Sequence, residues 1–181
     1  MEKFRRESYM GKNIEPLGEG REKEVFVSPN DPDKVVGIMK ESAESAEEAK
    51  AEFYLTKILH LLHPELVPDI SARTTEPNAV ERERVFGGES TFRQNDAVKD
   101  GLFALGVKLD SKPSNYIAEA DKPARYVDTV KTWLRNGERN YDPDKIREAV
   151  AALPEPDRAG ALAYLARLEA LHAARFPADT V

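Results

Sequence analysis

The chain has 181 residues, of which 40% are hydrophobic and 33% are charged, and a formal net charge of −6 at pH 7. This composition fits one ordinary domain or two small lobes that share a cleft. The acidic balance disfavours nucleic acid as a partner, and the absence of cysteine excludes disulfides and thiolate zinc sites. No apolar run approaches the roughly 18 residues of a membrane-spanning helix, so we expect a cytoplasmic protein without a membrane partner.

The first half of the chain predicts short antiparallel strands around one long helix. Apolar residues at 25–27 and 35–39 are separated by the turn-rich sequence SPNDPD. The spacing of apolar residues over 46–63 then predicts a helix, which Ser45 precedes and the His63-Pro64 pair ends. Two further strands are expected at 67–75 and 79–85.

The second half of the chain predicts mostly helices. One is expected over residues 91–105, and we expect the chain to be helical from Trp133 onward. Asp142-Pro143 begins one of these later helices, and another runs from 157 to about 175. This order of elements predicts an α+β protein with a small sheet lobe and a helical lobe.

Residues 108–131 carry most of the chemistry that the sequence suggests. Tyr116-Ile117 and 124–127 are strand candidates joined by a polar turn, which predicts a β-hairpin. An antiparallel hairpin returns the chain to where it began. Asn115, just before the first strand, is therefore expected near Asp128, just after the second.

Two oxygen ligands at the end of this hairpin suit a hard cation. Mg²⁺ takes one or two protein oxygens and completes its shell with water and substrate phosphates. Asp110 would approach the same point from the preceding loop. The alternative is an ordinary hairpin, in which Asp128 only caps a helix that begins near Thr129.

The sequence DSKPSN, residues 110–115, resembles the catalytic loop of the protein kinase superfamily. In that loop an Asp is followed five residues later by an Asn, commonly with Lys-Pro between them. Asp128 then lies at the distance from Asn115 where the family places its metal-binding Asp.

Independent matches precede this loop. The sequence LGEG, which includes Gly18 and Gly20 and is followed by Val25, resembles the glycine-rich loop over the phosphates of ATP. Lys40 lies where the family keeps the lysine that contacts the α- and β-phosphates. Glu52, in the following helix, would be the partner of that lysine.

The resemblance covers roughly residues 14–135, since HPELVP and VERERVFGG also resemble the turn after that helix and the hinge between the lobes. It implies a two-lobed kinase-like fold. Residues 1–88 would form a nucleotide-binding lobe with an antiparallel sheet and one helix. Residues 89–181 would form a reduced, mostly helical lobe that contains the hairpin.

The activity implied by the resemblance is transfer of the γ-phosphate of ATP to a hydroxyl acceptor, which would be a small molecule or an atypical protein substrate. Asn115 and Asp128 would bind Mg²⁺. Asp110 would orient the acceptor hydroxyl or accept its proton, and Lys112 would reach the transferred phosphate.

Several departures from the family pattern leave alternatives open. Lys23 replaces the third glycine of the loop, and no Phe-Gly follows Asp128, which favours the aminoglycoside kinase-like or choline kinase-like branch. Lys23 either contributes a cation to the nucleotide or indicates that catalysis has been lost. The alternative function is therefore a pseudokinase-like module that binds nucleotide, or a protein partner through its C-terminal helices. A structural α+β domain with coincidental matches is a third possibility.

The individual assignments also have competitors within the chain. Lys34 competes with Lys40 because the register of the strand is not fixed by the sequence. Glu52 has three competitors among the nearby acidic residues: Glu44, Glu47 and Glu48.

Overall fold

The computed structural model describes residues 16–19, 23–40, 45–72, 77–119, 122–128, 130–134 and 137–177. Within these ranges the chain forms a mixed α/β structure with two small antiparallel sheets and four α-helices. The predicted α+β class is confirmed at this level.

The first sheet has five strands in the order β1-β2-β3-β5-β4. These are β1 (Gly18–Glu19), β2 (Lys23–Val27), β3 (Lys34–Met39), β4 (Ile70–Ala72) and β5 (Ala79–Glu83). Helix α1 (Ser45–Leu62) connects β3 to β4. This part of the chain follows the predicted order of strands and helix.

The second sheet contains β6 (Gly88–Glu89), β7 (Tyr116–Ala118) and β8 (Arg125–Tyr126). The predicted hairpin is its β7–β8 pair, which a short 3₁₀ helix (Pro113–Asn115) precedes. The remaining helices are α2 (Phe92–Phe103), α3 (Pro143–Val150) and α4 (Asp157–Arg175).

One face of the first sheet is turned toward α1. Lys23 and Met39 are directly opposite each other on β2 and β3, so their side chains project from the same face. Val80 and Arg82 of β5 share that face, because residues two apart on a strand point the same way. Met39 packs there with three residues from α1, β4 and β5: Ala49, Ile70 and Val80. The sheet therefore presents one apolar cluster and two cations to the helix.

The main core joins α1 to α4. Leu55 and Ile58 of α1 and Leu165 and Leu168 of α4 are buried in one continuous cluster that also includes the tyrosines of the β7–β8 hairpin. Burying each leucine contributes about 1.5–3 kcal/mol. Because this core draws on both halves of the chain, the division at residue 88 stays a prediction.

Polar contacts hold the hairpin against the first sheet and the turn that follows α1. Arg125 of β8 donates to both carboxylate oxygens of Glu83 in β5, at 2.6 and 2.7 Å. The backbone N–H of Tyr126 donates to the carbonyl of Leu66, just after α1, at 2.9 Å. The hairpin is thereby fixed beside both α1 and the end of β5.

The chain is not helical where Trp133 was expected to begin a helix. Trp133 forms an isolated β-bridge with Arg139, and Gly137 between them has a φ of +82°, which a helix does not allow. Helix α3 begins later, because the Asp142 side chain accepts hydrogen bonds from the backbone of Asp144 and Lys145 and caps it. The prediction of a helix from Trp133 is therefore wrong, whereas the start at Asp142-Pro143 is confirmed.

The alternative role of Asp128 as a helix cap is also wrong. Thr129 lies outside the described residues, and residues 130–134 contain no helix. Among the residues that the structure describes, no helix is both long and apolar enough to cross a membrane.

Candidate nucleotide and metal site

The β7–β8 hairpin brings Asn115 and Asp128 together. The backbone N–H of Val127 donates to the carbonyl of Asn115 at 2.9 Å, and Asp128 is the next residue. Tyr116 is paired with Tyr126, and their rings pack edge to face with centroids 5.1 Å apart. The predicted proximity of Asn115 and Asp128 is confirmed, while their binding of a metal stays a prediction.

The two side chains suit a partial metal shell. Asn115 is 9% exposed, and its Nδ2 is buried without a hydrogen-bond partner in the described structure. A buried amide without a hydrogen-bond partner destabilises the folded state. Rotation about χ2 exchanges the amide nitrogen and oxygen, so the oxygen could occupy this position and face a cation. Asp128 is partly exposed. The described ranges contain no cluster of three or more His, Cys, Asp or Glu side chains suited to a metal ion, so a cation here would complete its shell with water and phosphate.

The hairpin tyrosines fix the loop that carries Asp110. Tyr116 donates its hydroxyl to the Asp110 carbonyl at 3.0 Å, and the Tyr126 hydroxyl is hydrogen-bonded to the Asp110 backbone. Burial, with a smaller effect of the Asp110 charge, raises the pKa of Tyr116 to about 12. Burial also raises the pKa of Tyr126, so both tyrosines stay neutral at physiological pH.

The Asp110 carboxylate itself remains accessible. Its Oδ1 accepts from the backbone N–H of Lys112 at 3.1 Å, and its Oδ2 lies 3.4 Å from the Lys112 ammonium. Both side chains are exposed. The two residues predicted to act in catalysis therefore lie side by side, on a loop whose backbone the hairpin holds in place.

A buried cluster of charges lies between the first sheet and α1. Glu52 is 1% exposed, and its Oε1 accepts from the ammonium of Lys23 at 3.1 Å. Arg82 donates to the same oxygen through Nη2. Through Nη1, Arg82 also donates to the carbonyls of Val127 and Asp128, at 3.2 and 2.9 Å. Arg82 thus connects the buried cluster to the end of the hairpin.

The cluster of Lys23, Glu52 and Arg82 has an excess positive charge, since two cations face one carboxylate. Burial raises the pKa of Glu52, but Lys23 and Arg82 outweigh this effect, and the pKa lies below its ordinary value. Burial lowers the pKa of Lys23 despite the opposing effect of Glu52; Arg82 lowers it further, and Asp128 raises it. Asp128 and Lys23 therefore act on each other electrostatically, and the cluster and the hairpin end form one site.

The predicted pairing of Lys40 with Glu52 is wrong. Lys40 is exposed and lies one residue past β3, directly after Met39, which faces α1. Successive residues of an extended chain point to opposite sides, so the face toward α1 is not available to Lys40. Sequence reasoning missed Arg82 altogether.

The competitors of Lys40 and Glu52 lie at the surface. Lys34 is 3.6 Å from carboxylate oxygens of Asp31 and Glu81. Two of the acidic residues near Glu52, namely Glu47 and Glu48, lie 3.7 and 3.6 Å from Arg175 in α4. Glu44 lies outside the described residues.

The glycine-rich loop is described only in part. Gly18 of β1 pairs with Val25 of β2, and Val25 pairs in turn with Gly37 of β3. Gly20 lies outside the described residues. Val25 therefore lies on the same strand as Lys23, and Gly18 lies on the neighbouring strand.

Comparison with known proteins adds one distant structural likeness. No protein-family model matches the chain, and no curated protein matches it in sequence. The chain is similar to the Rio2 kinase of Chaetomium thermophilum, solved as a complex with ADP/Mg²⁺ and phosphoaspartate, with a TM-score of 0.42 and 15% identity. The likeness covers 93% of this chain and 68% of the other. A TM-score of this size does not establish a shared fold, and the proposals below rest on this chain's own residues.

Proposed function

We propose that the protein is a kinase-like phosphotransferase that uses ATP and Mg²⁺ to phosphorylate a hydroxyl acceptor. The acceptor would be a small molecule or an atypical protein substrate. The observation that carries the proposal is the meeting of Asn115 and Asp128 at the hairpin end, beside a buried cluster with excess positive charge. A metal-nucleotide complex requires both oxygen ligands for the metal ion and positively charged groups for the phosphates.

All of the predicted residues except Lys40 and Glu52 have a role in this proposal. Asn115 and Asp128 would bind Mg²⁺, which offsets the negative charge that develops on phosphate oxygens during transfer. Asp110, held at its backbone and accessible at its carboxylate, would orient the acceptor hydroxyl or accept its proton. Lys112, paired with Asp110, would contact the transferred phosphate. Gly18, Gly20 and Val25 would form the loop and strand that cover the nucleotide.

A nucleotide- or protein-binding module without catalysis is the second candidate. It is favoured by one observation, namely that the Lys40–Glu52 pair implied by the kinase resemblance does not form. Asp110 separates the two candidates, because binding without catalysis gives it no acceptor to act on. Transfer of labelled phosphate from ATP to an acceptor, abolished in Asp110→Asn, would support the enzyme.

A thermal-shift titration tests nucleotide binding. ATP with Mg²⁺ at about 100 times its Kd stabilises a protein by about 2.7 kcal/mol, which raises the Tm of a chain of this size by about 5 to 11 °C. We expect this shift in the unmodified protein and its loss in Asp128→Ala. Asp96→Ala, an exposed position on α2, is the matched control and should keep the shift. No shift in the unmodified protein would contradict both candidates that bind nucleotide.

A further inference from the structure

Lys23 has donors left over in the buried cluster. An ammonium group has three N–H donors, and the contact with Glu52 Oε1 uses one of them. The second cation of the cluster, Arg82, already donates to the same oxygen. Lys23 is therefore held in a fixed position, and within the described residues its other two donors have no partner.

The side chain of Lys23 packs over Gly37 on the neighbouring strand. A Cβ atom at Gly37 would lie 2.9 Å from Cδ of Lys23, so a larger residue at this position would displace the lysine. Gly37 pairs with Val25, two residues after Lys23, and therefore lies diagonally across from Lys23 on β3. The glycine allows the aliphatic stem of the lysine to lie flat and brings its ammonium to α1.

The charge balance favours an anion at this ammonium. Lys23 and Arg82 give the buried cluster one positive charge more than Glu52 neutralises, and Asp128, the other carboxylate that acts on Lys23, is the one proposed to bind Mg²⁺. An unbalanced buried charge raises the free energy of the folded state. A phosphate group would offset that charge and would also accept hydrogen bonds. Lys23 directly follows the glycine-rich segment, whereas Lys40 is exposed beyond the end of β3.

We propose that Lys23, rather than Lys40, contacts the phosphates of the bound nucleotide. Glu52 then acts as a positioning residue, since it holds Lys23, and Arg82 in turn holds Glu52; neither has to reach the nucleotide. This inference rests on the proposed function and specifies which residue serves it.

Calorimetric titration of MgATP and of adenosine into three proteins tests the inference. A charge-assisted hydrogen bond to phosphate is equivalent to about 10-fold or more in affinity. Lys23→Met is expected to weaken MgATP by at least that factor and to leave adenosine unchanged, because adenosine has no phosphate. Lys40→Met is the matched control and should bind both ligands as the unmodified protein does.

A variant with the lysine moved to the neighbouring strand distinguishes loss of the ammonium group from loss of the fold. Met39 lies directly opposite Lys23 on the neighbouring strand and faces α1. The double variant Lys23→Gly with Met39→Lys moves the ammonium to the adjacent strand on the same face. It is expected to recover most of the affinity for MgATP that Lys23→Gly alone loses.

The possible results separate this inference from the proposed function. If the unmodified protein does not bind MgATP, the proposed function fails and the inference fails with it. If the unmodified protein binds and Lys40→Met weakens MgATP as much as Lys23→Met does, or more, only the inference is overturned. An equal loss for MgATP and adenosine in Lys23→Met also overturns it, because the variant would then have distorted the site as a whole.

Discussion

Replacing Glu52 with Gln removes the negative charge that both buried cations share. The cluster then has two positive charges and no anion, because Lys23 and Arg82 both contact Glu52 Oε1. Removing one partner of a buried ion pair costs about 3–5 kcal/mol. Gln keeps the shape of the side chain and one acceptor, so we expect the lower end, about 3 kcal/mol. A chain of this size has a total stability of about 5–15 kcal/mol, so the variant should still fold.

Equilibrium urea unfolding at pH 7 measures this loss directly. The matched control is Glu47→Gln on the same helix, where the side chain is half exposed and lies 3.7 Å from Arg175. An exposed pair of this kind contributes less than about 1 kcal/mol. If Glu52→Gln lost no more than the control, the cluster would not be a buried ionic network.

A double-mutant cycle with Lys23→Met adds a second check. Residues in direct contact show coupling energies of about 0.5–3 kcal/mol, whereas distant residues are additive. We expect Lys23→Met and Glu52→Gln to be non-additive within this range. Additive losses would refute the direct contact between the two side chains.

Three further predictions concern pH, backbone and core. The pKa of Glu52 lies below its ordinary value of 4.5, so the stabilisation by its carboxylate is complete above pH 4.5 and is lost as the pH falls through the lower pKa of the folded state. Acid unfolding monitored by circular dichroism should therefore be less steep in Glu52→Gln, and an unchanged curve would contradict the ionic role of Glu52. Gly87 has a φ of +144° and a Cβ there would lie 2.4 Å from the Ala118 carbonyl oxygen, so Gly87→Ala should lose more than about 1 kcal/mol in urea unfolding, while Gly88→Ala, with open space around it, should lose little. Leu165→Ala should lose about 2–5 kcal/mol because its side chain is buried between α4 and α1, whereas the control Leu162→Ala on the same helix, 42% exposed, should lose much less; equal losses would argue against this packing.

The elements that the sequence predicted well are those with strong local signals. The hairpin at 116–126 has alternating apolar residues around a polar turn, and that pattern alone places Asn115 beside Asp128. The start of α3 is signalled in the same way, by an Asp-Pro pair that caps the helix. Such features depend on neighbouring residues and need no knowledge of the tertiary structure.

The buried cluster could not be predicted in the same way, because it depends on the register between strands. Lys23 faces α1 because it is paired with Met39. This strand register is a long-range feature, and the local run of charged residues does not specify it. Arg82 lies within the sequence ERER, which is typical of an exposed strand, yet one face of that strand is covered by α1. The available signal was the alternation that places Lys23 on the same face of β2 as Val25, a residue already assigned to the nucleotide.

The packing of α4 against α1 is also a tertiary feature. The leucine pattern of α4 predicts an apolar face but does not identify the element that covers it. In the structure that element is α1, where Tyr164 packs against the rings of Phe53 and Tyr54 with centroids 5.6 and 6.0 Å apart. The last helix therefore supports the helix that carries Glu52, an arrangement that the kinase resemblance did not imply.

Replacing Mg²⁺ with paramagnetic Mn²⁺ tests the location of the proposed metal-nucleotide site most directly. In the presence of ATP, Mn²⁺ should broaden the backbone amide resonances of Tyr116 and Val127, which adjoin Asn115 and Asp128, at concentrations that leave most other resonances sharp. The same titration of Asp128→Asn should leave these two resonances sharp. Broadening centred on another part of the chain, or unchanged by Asp128→Asn, would contradict the assignment of the hairpin end as the site that binds metal and nucleotide.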